Sequence, residues 1–317
     1  MQSWGGPMTV RDRSHVGPHR RAVLLGALGA TALLGHAHAA DAPLTVTDLP
    51  GGLSLISGAG GNVVCARGKD GAVMVDSGTA PRAAELAALV KKRTGQAKVA
   101  TLFNTCWRLD QTGGNDAFGA AGARIVSHEL TRQWMGTEIV SRWEDKTYPP
   151  RAPAARPTKT FYATETFGAG ADRIDCGYLL QAHTDGDIYV FFRKANVLCA
   201  GGAVSGRGWP VIDWSTNGWI GGHVRGLETL IAVADDKTVI APADGPVLTK
   251  ADLKTQHEMF VGIMNRMQTV IESGQGTPDL LKARLCAEWE AERGDPTQFL
   301  TLSYKSFWGH IRQFKAI

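Results

Sequence analysis

The chain has 317 residues, of which 44% are hydrophobic and 20% are charged, and its formal net charge is +4 at pH 7. This length suits one large domain or two smaller ones. The first forty residues hold four arginines and one aspartate, so residues 41–317 carry only +1. So small an excess of positive charge does not indicate binding to nucleic acid or to an anionic membrane.

The first forty residues have the layout of an export signal. Arg20-Arg21 precedes the apolar run 22–34, and Ala37-His38-Ala39 offers small residues for cleavage. Paired arginines before a mildly apolar core are typical of a twin-arginine signal, with an ordinary secretory signal or a membrane anchor as the alternatives. The apolar run is too short to span a bilayer with any margin. We predict a signal peptide over 1–40, a bacterial periplasmic location, and no stable membrane insertion after the signal is removed.

Alternation and helical spacing predict a β-rich half, a helix, a second β-rich half and further helices over the remaining chain. Predicted strands cover 44–57, 61–67, 72–76, 99–104, 123–127, 158–167, 173–181, 187–192, 196–199 and 238–241. Predicted helices cover 81–94, 115–121, 227–234, 250–273 and 278–293. Residues 135–156 are polar, aromatic and Pro-rich, which predicts an irregular excursion. This order favours two packed sheets with helices outside, in a single domain over 41–317.

The most informative segment is 103–115, which reads F-N-T-C-W-R-L-D-Q-T-G-G-N and follows a predicted buried strand. Four further blocks accompany it in order, at 57–78, 182–187 (A-H-T-D-G-D), 200–202 and 242–246. Together these blocks resemble the metallo-β-lactamase superfamily, whose members carry N-T-H-x-H-x-D-H-x-G-G-N at the first of them. The resemblance implies an α/β fold, the four-layer αβ/βα sandwich, with two mixed sheets packed face to face and helices outside. It also implies two metal ions at one edge of the sheets.

The residues at the implied ligand positions depart from the family pattern. Three histidines hold the first ion in the family, and Cys106, Arg108 and His183 stand at those positions here. Asp110, Gln111, Gly202 and Asp244 stand at the positions that hold or bridge to the second ion. Arginine has no lone pair to offer a metal, and glycine removes the bridging carboxylate. A two-zinc centre of the family's kind therefore cannot be assembled.

Three interpretations of this edge remain open. In the leading one no metal or other cofactor binds, and Arg108 replaces the metal between Asp110 and Asp244. In the second, one zinc ion binds to Cys106, Asp110, His183 and Asp244, while Arg108 turns outward to hold a substrate anion. In the third, Cys106 is a nucleophile activated by Arg108 and His183.

The predicted roles of the single residues follow from these interpretations. Asp110 and Cys106 are the candidates for catalysis, and Arg108, Gln111, Gly202 and Asp76 are expected to line a ligand pocket. For Asp76 we expect a structural role, with its carboxylate binding backbone amides of the loop. The five cysteines are scattered and form no C-x-x-C pair, so they indicate neither a disulfide framework nor a zinc knuckle.

The function predicted from the sequence is that of an exported metallo-β-lactamase-fold protein that has lost the two-zinc hydrolytic centre. Such a protein is a ligand-binding protein or a pseudoenzyme, and its partner is a small molecule. The alternative is a metal-dependent hydrolase that uses one atypical metal ion.

Overall fold

The computed structural model describes residues 43–168 and 170–310, and the predicted signal peptide lies outside them. The strands within these residues are β1 Thr45–Asp48, β2 Ser54–Ala59, β3 Gly61–Ala66, β4 Ala72–Val75, β5 Val99–Phe103, β6 Arg124–His128, β7 Ile139–Ser141, β8 Lys146–Tyr148, β9 Lys159–Phe161, β10 Thr164–Phe167, β11 Ile174–Tyr178, β12 Ile188–Phe192, β13 Val197–Gly201 and β14 Val239–Pro242. The helices are α1 Ala83–Thr94, α2 Leu109–Thr112, α3 Asn115–Ala120, α4 Glu129–Gly136, α5 Ile220–Val233, α6 Lys250–Glu272, α7 Thr277–Lys282, α8 Glu290–Arg293 and α9 Thr297–Phe307.

The strands form two mixed sheets and a separate hairpin. The first sheet has the order β1-β2-β3-β4-β5-β6-β9, antiparallel as far as β4 and parallel from there on. The second has the order β10-β11-β12-β13-β14, in which only β13 and β14 are parallel. Strands β7 and β8 pair only with each other.

Three apolar clusters show that the sheets and helices form four layers. One cluster lies between the sheets, where Val64 and Phe103 of the first sheet meet Val190 and Val197 of the second. Another joins the outer face of the first sheet to α1 and α3. The largest joins the outer face of the second sheet to α5, α6 and α9. The structure thus confirms the predicted sandwich with helices outside.

The segments that contain the predicted site residues lie at one edge of this sandwich, because the carboxyl ends of parallel strands point the same way. Asp76 follows β4, Thr105 follows β5, Gly202 follows β13 and Asp244 follows β14. Hydrogen bonds close the sheets together at this edge: the Thr105 carbonyl accepts from Ile188 N at 2.9 Å. The direction of the strands and the packing of the two sheets therefore bring together residues that are far apart in the chain.

Several sequence-based element assignments were wrong in detail. The single strand predicted over 44–57 is two strands, β1 and β2, that pair antiparallel with each other. The single strand predicted over 158–167 is two strands in different sheets, because the chain crosses between the sheets after β9. The helix predicted over 278–293 is broken between α7 and α8, where Arg284 adopts a φ of +48°. Residues 129–136 form a helix that was not predicted, and the excursion at 135–156 contains the β7–β8 hairpin.

Within residues 43–168 and 170–310, no helix has the length and apolar character that crossing a bilayer requires.

Candidate metal-ligand site

Asp76 fixes the loop that follows β5. Its Oδ1 accepts a hydrogen bond from Thr105 N at 2.8 Å, and its Oδ2 lies 2.7 Å from Thr105 Oγ1. Asp76 itself has a φ of +61°, and its own N–H donates to the Phe103 carbonyl at 2.7 Å. The structure therefore confirms that this carboxylate binds loop backbone. Burial raises the pKa of Asp76 to about 7 against the opposing effect of the Thr105 hydrogen bonds.

A chain of hydrogen bonds leads from Asp76 to the thiol of Cys106. The Thr105 hydroxyl lies 3.0 Å from Gln111 Oε1, and the Cys106 thiol donates to the same oxygen at 2.7 Å. A hydroxyl has a single hydrogen, so Thr105 cannot donate to Asp76 and Gln111 together. A protonated Asp76 that donates to Thr105 satisfies every contact, which agrees with its raised pKa.

Cys106 is in the wrong environment for a nucleophile. It is fully buried, and burial followed by the negative charges of Asp187, Asp110 and Asp76 raises the pKa of its thiol well above the ordinary value. Reactive cysteines instead have a lowered pKa and some exposure. Burial and the neighbouring carboxylates therefore do not favour the interpretation in which Arg108 and His183 activate Cys106.

The imidazole of His183 lies directly against Gly202. A methyl group placed on Gly202 would lie 2.4 Å from Nδ1 of His183 and 2.7 Å from its Cγ, well inside contact distance. The ring is buried, and its Nδ1 has no hydrogen-bond partner. The side chain that would bridge two metals is thus absent, and the imidazole occupies the space where that side chain would begin.

Among the described residues, one group of three donors could hold a metal ion: Cys106, His183 and Asp187, whose ligand atoms all lie within 4.8 Å of one another. We call these the three-donor group. Asp110 and Asp244 lie outside it, so the predicted four-ligand set is not brought together. Asp110 is 48% exposed beside Arg108, and Asp244 accepts a hydrogen bond from Ser205 Oγ at 2.7 Å. Within the group, both Asp187 oxygens already accept hydrogen bonds from Thr184, at 2.7 and 2.8 Å.

Arg108 is enclosed by carboxylates and indole rings. Its Nη2 donates to Glu144 Oε1 at 3.0 Å, and Nη1 lies 3.8 Å from Asp213 Oδ2. Its Cζ is 5.2 Å from the ring centroid of Trp143 and 5.6 Å from that of Trp107. Burial works against the positive charge, but Asp110, Glu144 and Asp213 outweigh it and raise the pKa of the guanidinium.

These partners correct the expected environment of Arg108. Asp110 approaches at 3.6 Å as expected, but Asp244 makes no ion pair with Arg108 among the described residues, and Glu144 and Asp213 take its place. Asp213 is fully buried and also accepts a hydrogen bond from Trp143 Nε1 at 3.0 Å. Arg108 therefore links the loop within residues 103–115, which we call the signature loop, to the β7–β8 hairpin and to the loop after β13.

Three residues of this site could not be found from the sequence. Asp187 is the last residue of the 182–187 block, and its position beside Cys106 depends on how the two sheets pack. Glu144 lies in the irregular excursion, and no sequence pattern places it near Arg108. Asp213 lies in the loop after β13, where its carboxylate also accepts a hydrogen bond from Thr216 Oγ1 at 2.9 Å.

The comparisons with known proteins agree with this architecture. Residues 57–244 match the metallo-beta-lactamase superfamily. The chain belongs to that superfamily. No curated protein matches its sequence.

Several solved metallo-beta-lactamases have a similar fold. The enzyme from Pontibacter korlensis is 20% identical, with 69% of this chain and 99% of that one covered and a TM-score of 0.54. The one from Hirschia baltica is 18% identical, with coverages of 69% and 98% and a TM-score of 0.54. DIM-1 metallo-beta-lactamase is 16% identical, with coverages of 69% and 97% and a TM-score of 0.54. Identities this low establish the fold alone.

The residues present do not fit the superfamily's two-metal centre. Arg108 is an ion-paired cation, Gln111 is hydrogen-bonded to Cys106, and Gly202 offers no side chain. The three-donor group matches the donor types of a single zinc ion, namely thiolate, imidazole and carboxylate. The Nδ1 of His183 has no hydrogen-bond partner, which favours such an ion. The raised pKa of the Cys106 thiol opposes it, because a metal binds the thiolate form.

Removing the Asp76 charge should change how stability depends on pH. The folded-state pKa of about 7 lies above the ordinary value of 3.8, so the folded protein holds this proton more tightly than the unfolded chain. Its contribution is complete below about pH 4 and is lost as the pH rises through 7. Relative to Asp76→Asn, the wild type should therefore lose up to about 4 kcal/mol between pH 4 and 8, at about 1.4 kcal/mol per pKa unit. Urea unfolding of both proteins across this range measures the difference, and parallel curves would contradict the assignment.

Arg108→Ala should destabilise the fold by about 3 kcal/mol or more, because it leaves buried carboxylates without their counter-charge. Lys159→Ala is the control, since that ammonium lies 3.6 Å from Glu165 and the two side chains are 41% and 36% exposed; its loss should cost under about 1 kcal/mol. Unfolding in urea at pH 7 compares the two. Equal stability of Arg108→Ala and wild type would show that the buried cluster does not need the cation.

Gly202→Ala should destabilise the protein by about 1–3 kcal/mol, because the added methyl group overlaps the His183 ring. Gly262→Ala is the control: it lies in α6 with no atom near the added group, and should gain roughly 0.5–1 kcal/mol. Thermal unfolding of both variants tests the contact, which a neutral Gly202→Ala would refute.

Proposed function

We propose that this chain is a non-hydrolytic member of the metallo-beta-lactamase superfamily, a ligand-binding protein or pseudoenzyme exported to the periplasm. The observation that carries the proposal is the contact between Gly202 and the His183 ring. Gly202 has no carboxylate with which to bridge two metal ions, and the adjacent His183 ring leaves no room for such a side chain. Hydrolysis by a metal pair requires two ions held about 3.5–4 Å apart to clamp the attacking and leaving oxygens.

Two further features support the loss of the hydrolytic centre. The side chain of Arg108 is committed to Glu144 and Asp213, so it neither binds a metal nor leaves its position open for another ligand. Gln111 is held by Thr105 and Cys106, in hydrogen bonds that need no metal. Ion pairs at Arg108 and neutral hydrogen bonds at Gln111 thus occupy two of the positions from which the superfamily's ligands act.

A single-metal hydrolase is the second candidate, favoured by the three-donor group. The Nδ1 of His183 is the observation in its favour: it is buried without a hydrogen bond, which is unusual for an imidazole nitrogen, and it lies 3.7 Å from Asp187 Oδ1 within the same group. If zinc bound there, Cys106, His183 and Asp187 would hold it, and the ion would supply Lewis-acid polarisation of a substrate oxygen.

The export part of the proposal rests on the Arg20-Arg21 signal and agrees with the state of the cysteines. All five are free and buried within the described residues. Burial raises the pKa of Cys65 to about 11 and that of Cys286 to about 12, so their thiols are poor nucleophiles. Thiols that are already buried on arrival resist oxidation, which suits a pathway that exports folded protein.

Protein exported and purified without chelator should contain well under one zinc ion per chain, and added zinc should not produce hydrolysis of lactams, thioesters, lactones or phosphoesters. Elemental analysis and turnover assays with and without zinc measure this directly. Stoichiometric, chelator-sensitive zinc would overturn the proposal. In that case His183→Ala should lose the metal, while His257→Ala, which changes a histidine paired with Glu228 on the surface, should keep it.

A further inference from the structure

A second cleft lies at the opposite edge of the sandwich. Its volume is about 940 Å³, within the range of small-molecule sites. Strands β4, β5 and β6 begin here and run toward the three-donor group, and β3 and β12 end here. The cleft is therefore separate from the candidate metal-ligand site and independent of the function proposed for it.

Positive charge is concentrated around this cleft. Its acidic lining residues are Asp70 and Asp172, and its basic ones are Arg67, Lys69, Arg93, Arg124, Arg173 and Lys194. Six cations less two carboxylates leave a local excess of four, whereas residues 41–317 as a whole carry only +1. Clustered charge of one sign in a cleft raises the local concentration of anions.

Most of these cations lack an internal counter-ion. Arg93 pairs with Asp48, and Arg173 pairs with Asp175. The other four, Arg67, Lys69, Arg124 and Lys194, make no ion pair with any residue that the structure describes. They come from two separate turns and one strand start, so the fold and not a single basic run places them together.

The floor of the cleft carries apolar side chains beside the polar ones. Phe103, Phe192 and Ile174 lie beneath it and are buried in the cluster between the sheets, whereas Phe167 and Val73 are half-buried and line the cleft with accessible surface. Phe103 and Phe167 pack edge to face with centroids 5.1 Å apart, and the Arg124 Cζ is 5.7 Å from the Phe167 centroid. The basic rim thus adjoins an apolar floor that includes an aromatic ring.

We propose that this cleft binds a small amphipathic anion of the fatty-acid class. An apolar body would lie against Phe167 and Val73, where removing apolar surface from water is favourable. The carboxylate would meet the rim, with Arg67, Arg124 and Lys194 as its counter-charges. A purely polar anion would leave the apolar floor exposed to water, and a neutral lipid would leave the rim cations without a partner.

The experiment is titration of the purified full chain with cis-parinaric acid, whose fluorescence rises in an apolar site. The triple variant Arg67→Gln, Arg124→Gln, Lys194→Gln should bind the acid at least about tenfold more weakly, since each exposed pair contributes up to about 1 kcal/mol. A matched variant, Lys237→Gln, Lys254→Gln, Lys282→Gln, removes the same charge from the surface away from the cleft and should bind like the wild type. Raising the salt concentration should weaken binding of the acid.

Further ligands separate the contributions of head and body. The methyl ester of the probe should bind at least about tenfold more weakly than the acid, and acetate should not displace the acid. Equal binding of acid and ester, displacement by acetate, or an unchanged triple variant would each overturn the proposal. Binding to phosphatidylglycerol vesicles without binding of the free acid would also overturn it, and would identify the rim as a membrane-surface patch.

Discussion

The guanidinium of Arg108 joins parts of the chain that are far apart in sequence. Its carboxylate partners come from the β7–β8 hairpin, through Glu144, and from the loop after β13, through Asp213. A permanent cation can be buried only where opposite charge and hydrogen bonds compensate the lost hydration. The hairpin and the loop must therefore close over the signature loop in one arrangement. Trp143 reinforces it, because its ring packs on Arg108 while its N–H donates to Asp213.

The second constraint is steric and lies on the other side of the same edge. The His183 ring rests on Gly202, and Gly218 is equally close-packed, since a methyl group there would lie 2.1 Å from the His183 carbonyl. Gly202 thus packs against the ring of His183 and Gly218 against its backbone, so neither glycine has room for a side chain. Replacing Gly202 with a metal ligand would consequently produce a steric clash with the ring.

Much of the fold was predictable from the sequence, because strand alternation and the ordered blocks are local signals. The 103–115 loop, the 182–187 block and Gly202 all fall at the edge where the resemblance placed them. The partners of Arg108 were not predictable, because Glu144 and Asp213 reach it through the packing of an irregular hairpin and a loop. Asp187 was hidden for a different reason: its proximity to Cys106 depends on the register of one sheet against the other. The crossing between sheets after β9 was masked by a continuous run of strand-forming residues.

Four carboxylates at the site edge have neutral hydrogen-bond donors within the chain: Asp76 has Thr105, Asp185 has Trp134 and Asn217, Asp187 has Thr184, and Asp244 has Ser205. Burial moreover raises the pKa of Asp76, Asp185 and Asp244. Arg108 supplies the positive charge for the neighbouring group of Asp110, Glu144 and Asp213. The cleft at the opposite edge differs, because four of its cations make no ion pair with any described residue. Electrostatic attraction for an anion from solution is therefore stronger at the cleft than at the three-donor group.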